Sequence, residues 1–262
     1  MRDSHSQITT LTQDYPAGHV IPLHFHSRDQ LVYASRGVMT VRTSGGTWVI
    51  PTYRAVWIPA PVPHTITMSG AVAMRTLYLK PRLAKTLPRD CCVVNVSPLL
   101  KELVLHACTF SVLKKAVKRH RHLIYMMLDQ LESVQMVPMQ LPNPSDPRAL
   151  RIATALYADP SDRRSLTHFS KSSGASKRTL ERLFQEDVGM TFGKWRQQLR
   201  LMQAMRLLAR RSQGNACRAG IGLQHAERIY LDVQESARDH SEVVFQSQCK
   251  ARIVSSRERL RC

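Results

Sequence analysis

Two sets of residues carry chemistry by their type and spacing. The first is basic and lies in the run SKRTLERLF, residues 176–184. Arg178, Glu181 and Arg182 fall three and four residues apart, so on a helix they share one face. Guanidinium forks suit guanine O6 and N7, and a carboxylate suits cytosine N4, which makes these three the candidate base readers. Lys171, Ser176, Lys177 and Arg196 suit phosphate oxygens, contacts that fix register without reading sequence. The competing reading is an ordinary amphipathic hairpin whose charged face is simply solvated. The second set is imidazole. His24 and His26 flank Phe25, so the period of two puts both rings on one face of a strand, and His64 follows the proline-shaped turn Pro59-Ala60-Pro61-Val62-Pro63. Three imidazoles can hold Zn²⁺ or Fe²⁺; they can equally line a pocket for an organic effector or hydrogen-bond within the fold.

The elements that must position these groups are legible around them. Gly174 supplies the positive φ of a tight turn between a short segment, Leu166 to Lys171, and a second helix. Ser176 is the N-cap of that helix, and Leu180, Leu183 and Phe184 form its apolar face. The layout is that of a recognition helix. Around the histidines, residues 19–80 read as short strands broken by Gly and Pro (HVIPLHFH, QLVYASRG, VMTVRTSGGTWVIP, YRAVWIPAPVPHTITM, VAMRTLYLK), the pattern of a small antiparallel barrel or sandwich. Tyr33, Trp48, Tyr53 and Trp57 are its candidate aromatic walls, or core. Leu99 to Leu131 has helical periodicity interrupted by a basic patch from Lys114 to His122, and Val137 to Arg148 is too proline-rich for a helix and reads as a linker.

The stretch GMTFGKWRQQLRLMQAMRLLA then resembles the linker-helix region of AraC-type transcription regulators. The resemblance is carried by Gly174-Ala175-Ser176, Leu180, Arg182, Leu183, Phe184, Gly189, Phe192, Trp195, Arg196, Leu199, Arg200, Ala204, Leu207 and Leu208. His24-Phe25-His26 and the Pro59–His64 turn, with Gly18, Gly37 and Gly46, resemble the two motifs of the cupin barrel. Metal-binding cupins use His, His, a carboxylate and a later His, and the carboxylate position here is Gln30, a poor metal ligand. The resemblance therefore implies an α+β chain: a cupin-like antiparallel β-barrel as sensor, a helical spacer, and an all-α helix-turn-helix DNA-binding domain. His24, His26, Gln30, Tyr33, Trp57 and His64 are the expected effector pocket, without a required metal or other cofactor. The implied partners are double-stranded DNA, a small-molecule effector, RNA polymerase and a second copy of the chain. No general acid or base is evident, so an enzyme is not expected. A cupin metalloenzyme, isomerase or dioxygenase, and a non-specific nucleic-acid-binding protein are the rivals.

Composition agrees. The 262 residues carry a net charge of +19, which favours polyanions. Residues 1–74 hold five Arg and Lys against three Asp and Glu, whereas residues 146–212 hold fourteen against six, so the basic charge collects where phosphate contact would use it. No apolar run approaches ~20 residues and the N-terminus lacks a signal-peptide core, so a cytoplasmic protein without membrane contact is expected. The six cysteines have no metal-ligand spacing and read as reduced thiols.

An AraC-type module has a second helix-turn-helix soon after the long helix, yet residues 213–262 show no sustained period and lose the family pattern after Arg211. Back-translated with freely chosen synonymous codons and read one nucleotide later, Gly214 to Glu242 can give VTRVALESGYNTPSAFISMFKKALGTTP, a recognisable second unit. The tail is thus expected to be out of frame, the alternative being a genuine, divergent or disordered tail. The domain boundaries expected are 1–88 for the sensor, 89–136 for the spacer, 137–148 for the linker, 149–212 for the first unit with its long helix, and 213–262 for the tail.

Overall fold

A computed structural model of the chain describes residues 6–134, 136–137 and 140–211. The tail expected to be out of frame lies outside the described residues. The chain divides into two compact units, one built on residues up to Asn143 and the other on Pro144–Leu201.

The first unit is a single antiparallel sheet built on two long strands, β3 (Asp29–Thr43) and β6 (His64–Leu79). Their pairing slips register between Ala34 and Val38, so each long strand serves two sets of neighbours. The early half of β3 pairs β5 (Arg54–Ile58), while the late half pairs β4 (Gly46–Ile50). β6 takes β1 (Ser6–Tyr15) and β2 (Val20–His24). β7 (Cys92–Asn95) extends the sheet beyond β5. Helices α1 (Pro98–Ala107) and α2 (Lys118–Glu132) cover one face, with β8 (Val112–Lys114) between them in sequence. Leu100, Val104, Leu123, Ile124 and Met127 from these helices share one buried cluster with Leu31, Tyr33, Trp57, Leu77 and Leu79 from the sheet. The expected spacer therefore completes the first unit's core by shielding a sheet face. Its basic patch falls on the end of β8 and the first turn of α2.

The proline-rich segment expected to be a linker is partly anchored. β9 (Met136–Val137) pairs β7, and β10 (Gln140–Pro142) pairs β4. Gly46 permits that pairing, because a Cβ there would lie 2.8 Å from Leu141 O. Pro142 is tolerated because β10 is short and on the periphery, where a missing N–H removes no central ladder bond.

The second unit is helical: α3 (Pro147–Ala158), α4 (Leu166–Ser173), α5 (Lys177–Val188) and, as far as Leu201, α6 (Phe192–Arg211). Three of these helices start at a side-chain cap, Asp146, Ser165 or Ser176. An aromatic cluster ties α3, α5 and α6 together: Phe184 lies edge-on to Phe192 and Trp195 at 5.2 and 5.6 Å, and Tyr157 meets Trp195 at 5.6 Å. No helix among the described residues is long and apolar enough to cross a membrane.

Candidate functional site

In the helical unit, α4 ends at Gly174 with φ 71° and ψ 24°, the left-handed conformation that turns the chain toward α5. Ser176 Oγ accepts from Thr179 N at 3.1 Å and so fixes where α5 begins. Leu180, Phe184 and Val188 are buried, which forces Arg178, Glu181 and Arg182 outward. All three are exposed and line a groove of about 850 Å³ together with Gln185, Glu186 and Thr191. Gln185 and Glu186 were not singled out from sequence, although Gln185 follows Arg178 by seven residues and belongs to the same helical face.

The charges on this face are not equivalent. Lys177 pairs with Glu181 at 3.6 Å and Arg182 with Glu186 at 3.8 Å, whereas Arg178 has no ion pair among the described residues. Lys177 stands in the first turn, where the helix dipole is positive, so an anion arriving there relieves repulsion. Lys171 is exposed on the last turn of α4. Arg196 differs from its expected phosphate role. Its guanidinium lies 5.1 Å over the Phe192 ring and its Nη1 donates to Arg164 O at 2.8 Å. Arg200 does the same work beside it, donating to Pro160 O and Asp162 O. Both arginines clamp the loop between α3 and α4, because the carbonyls of that loop need donors and α6 runs beneath it.

In the sheet unit, the pairing of β2 with β6 puts His24 opposite His64. The His24 ring is 4.3 Å from His64 and 4.8 Å from His26. Each of His24 and His64 directs Nδ1 at the carbonyl two residues back, Pro22 O at 2.7 Å and Val62 O at 2.9 Å. A carbonyl only accepts, so both rings carry the proton on Nδ1 and turn an Nε2 lone pair to the shared space. Burial pushes the His64 pKa down to about 4, aided by its histidine neighbours and opposed by the Val62 bond, so the ring is neutral near pH 7. One ligand atom from each of the three histidines lies within 4.8 Å of the others. The three imidazoles, two of them oriented by backbone carbonyls, are the residues that could hold a divalent transition metal. Gln30 adds no charge to them.

Gln30 is buried and hydrogen-bonds Tyr78, its cross-strand partner; burial raises the Tyr78 pKa. Tyr78 also meets the His26 ring edge-on at 4.8 Å. Gln30 Oε1 and His64 Nε2 are buried without a hydrogen-bond partner, two acceptors that an incoming donor or cation would satisfy. Tyr78 is the member missed from sequence, since nothing local announces a contact 48 residues from Gln30.

Tyr33 and Trp57, expected beside the histidines, are elsewhere. Both side chains belong to the cluster under α1 and α2. The reason is parity: Gln30 and Tyr33 differ by an odd number of residues along β3, so they occupy opposite faces. Burial pushes the Tyr33 hydroxyl up to about 12. Trp57 Nε1 donates to Pro88 O at 3.0 Å, and its ring borders a separate cavity of about 290 Å³.

Comparison with known proteins agrees with both units. The family described as AraC-like ligand binding domain matches residues 5–139, and that described as helix-turn-helix domain matches residues 169–227, the part beyond Arg211 lying outside the described residues. The HTH-type transcriptional regulator NimR of Escherichia coli is 30% identical over 189 residues, covering 72% of this chain and 69% of NimR. The chain belongs to the AraC-type transcription regulators. It is an effector-responsive, DNA-binding member with a cupin-like sensor and a helix-turn-helix domain. The regulator RipA of Corynebacterium glutamicum is 38% identical over 68 residues, 26% of this chain and 20% of RipA. Among solved structures, ToxT of Vibrio cholerae with a bound unsaturated fatty acid is 10% identical, covers 79% of this chain and 83% of its own, and has a TM-score of 0.37.

Proposed function

We propose that this regulator reads DNA with the exposed face of α5 and senses its effector at the histidine cluster of the sheet. Arg178 and Arg182 pair guanines and Glu181 accepts from cytosine, while Lys171, Lys177 and the Ser176 end of the helix hold phosphates. The observation that carries this reading is the capped, outward-facing Arg178–Arg182 row on a helix held by a buried aromatic cluster. It acts in the cytoplasm, where its DNA is, as a regulator and not an enzyme. A homodimer is supported by Tyr125 and Met126, each 47% exposed on α2, and RNA polymerase is the further partner. A single helix-turn-helix supplies few contacts toward the ~4–10 kcal/mol that separates specific from non-specific binding. The present chain is therefore a weak regulator if its second unit is out of frame.

The effector site comprises His24, His26, His64, Gln30 and Tyr78, which offer an organic effector acceptors from imidazole and amide. A second reading is supported by the convergence of the three imidazoles: His24, His26 and His64 would hold a divalent metal, which would supply a Lewis-acidic anchor for the effector. The test is operator binding by the full chain on duplexes selected from random sequence, followed by effector screening and elemental analysis. Specific binding that responds to a small molecule in the parent, and no longer does so in His64→Gln, is expected. Sequence-independent binding would overturn the reader assignment, and an unchanged response in His64→Gln would overturn the sensor assignment.

A further inference from the structure

A cavity of about 290 Å³ lies beside Trp57, on the helix-covered side of the sheet and away from the face that carries Gln30. Arg82, Lys85 and Arg89 line it, against one acidic neighbour, Asp29. The three cations have no ion pair among the described residues. Asp29 is 2% exposed and its carboxylate is already engaged: Oδ1 accepts from Ala60 N at 2.9 Å and Oδ2 from Arg82 N at 3.2 Å. It therefore organises the wall and offers no free acceptor to a ligand. Arg82 has φ 65°, a backbone conformation that side chains with a Cβ rarely adopt, and the bond to Asp29 pins it there. Trp57, 2% exposed and held by its own bond to Pro88 O, closes the apolar floor of the cavity together with Ala84 and Leu87.

Three cations without an ion pair around a cavity floored by Ala84, Leu87 and the edge of the core at Trp57 suit negative charge on a small apolar body. We propose that this cavity is a second ligand site, distinct from the histidine cluster, for a small aromatic carboxylate. Carboxylate oxygens accept from the guanidinium forks of Arg82 and Arg89, and Lys85 adds a point charge. The ring of the ligand packs on the apolar floor that Ala84, Leu87 and Trp57 form. Because Asp29 bridges this wall to Ala60, four residues before His64, occupancy bears on the turn that sets His64.

The test is calorimetric titration of the full chain with benzoate, its uncharged isostere benzamide, and acetate. Benzoate is expected to bind at one saturable site per chain and to raise the melting temperature, with acetate weaker and benzamide silent. Arg82→Gln, Lys85→Gln and Arg89→Gln are each expected to weaken benzoate about tenfold, the effect of losing one hydrogen bond or contact to a charged group. The triple variant is expected to lose binding while melting like the parent, since all three side chains are exposed. Absence of saturable benzoate binding, benzamide binding equal to benzoate, or undiminished binding in the triple variant would each overturn the proposal. Acetate as tight as benzoate would overturn the aromatic part of it. These results are independent of whether His64→Gln alters the operator response, so this proposal and the sensor assignment can fail separately.

Discussion

Removing the Arg178 side chain separates a reading helix from a merely wet one. Arg178 is exposed and carries no ion pair among the described residues, so Arg178→Ala leaves folding within about 0.5 kcal/mol of the parent. On a cognate duplex, loss of a bidentate guanine contact costs ~1–3 kcal/mol, which is about five- to 150-fold in affinity at ~1.4 kcal/mol per tenfold. Arg182 starts from a different state. Its Nε lies 3.8 Å from Glu186 Oε2, with both side chains about two-thirds exposed at 66% and 64%. An exposed pair is worth ~0–1 kcal/mol, and DNA must displace it, so Arg182→Ala is expected to lose less than Arg178→Ala by about half a kcal/mol. The same logic makes Glu186→Ala bind all DNA more tightly, because it frees Arg182 and removes a charge that repels phosphate. Fluorescence anisotropy at one fixed salt concentration, with the selected duplex and with single-base variants, reads all three. The reasoning fails if Arg178→Ala keeps the parent's affinity and base preference, or if Glu186→Ala weakens binding.

The remaining expectations address structure and sequence. Arg196→Ala should lower the melting temperature by freeing the loop at Arg164, while the salt dependence of DNA binding by the folded protein stays as in the parent; a shallower salt slope would return Arg196 to the phosphate contacts. The Arg148 ion pair and its backbone N–H hold the Asp146 pKa down to about 2. A depressed carboxylate contributes stability above its unfolded pKa and loses it as pH falls through the folded one, so Asp146→Asn should flatten the stability profile between about pH 4 and 2 in acid titration followed by circular dichroism. A chain restored to the alternative frame near Arg211 should protect two successive major grooves about 34 Å apart and bind its operator more than tenfold tighter; equal footprints for the two chains would remove the functional consequence of the shift.

What was legible in the sequence was local. Gly174, the Ser176 cap and the Leu180–Phe184 face announce α5 within a dozen residues, because cap, turn and period all act through neighbours along the chain. Parts of the histidine cluster were also legible, His24 through its strand and His64 through its proline turn, whereas His26 lies beyond the end of β2 and joins the cluster from outside the strand. The faces of β3 were not. Its first six residues are buried without exception, so no alternation of polar and apolar residues tells which side holds Gln30 and which holds Tyr33. Tyr78 and Trp57 were hidden for the same reason, since both depend on long-range strand pairing. The pairing of β10 was masked by its prolines, which deny helix but leave a short peripheral strand open. Arg196 could not be told from a phosphate ligand because a cation on α6 reads the same whether it faces water or a loop carbonyl.

The two faces of β3 also bear on how this sensor can change over generations. Backbone bonds hold Gln30 to Tyr78 and Ile58, and they are indifferent to which side chains those residues carry. The row facing the histidines can therefore change its polar groups without altering the ladder, provided that each new group is matched in size and paired by a ligand, because Gln30 is itself buried. The alternate row, with Leu31 and Tyr33, is locked into α1 and α2, where each change of volume is felt by many neighbours. Chemical novelty and scaffold upkeep are thus assigned to alternate residues of one strand, and a lineage can explore new effectors by single substitutions while its architecture is inherited intact.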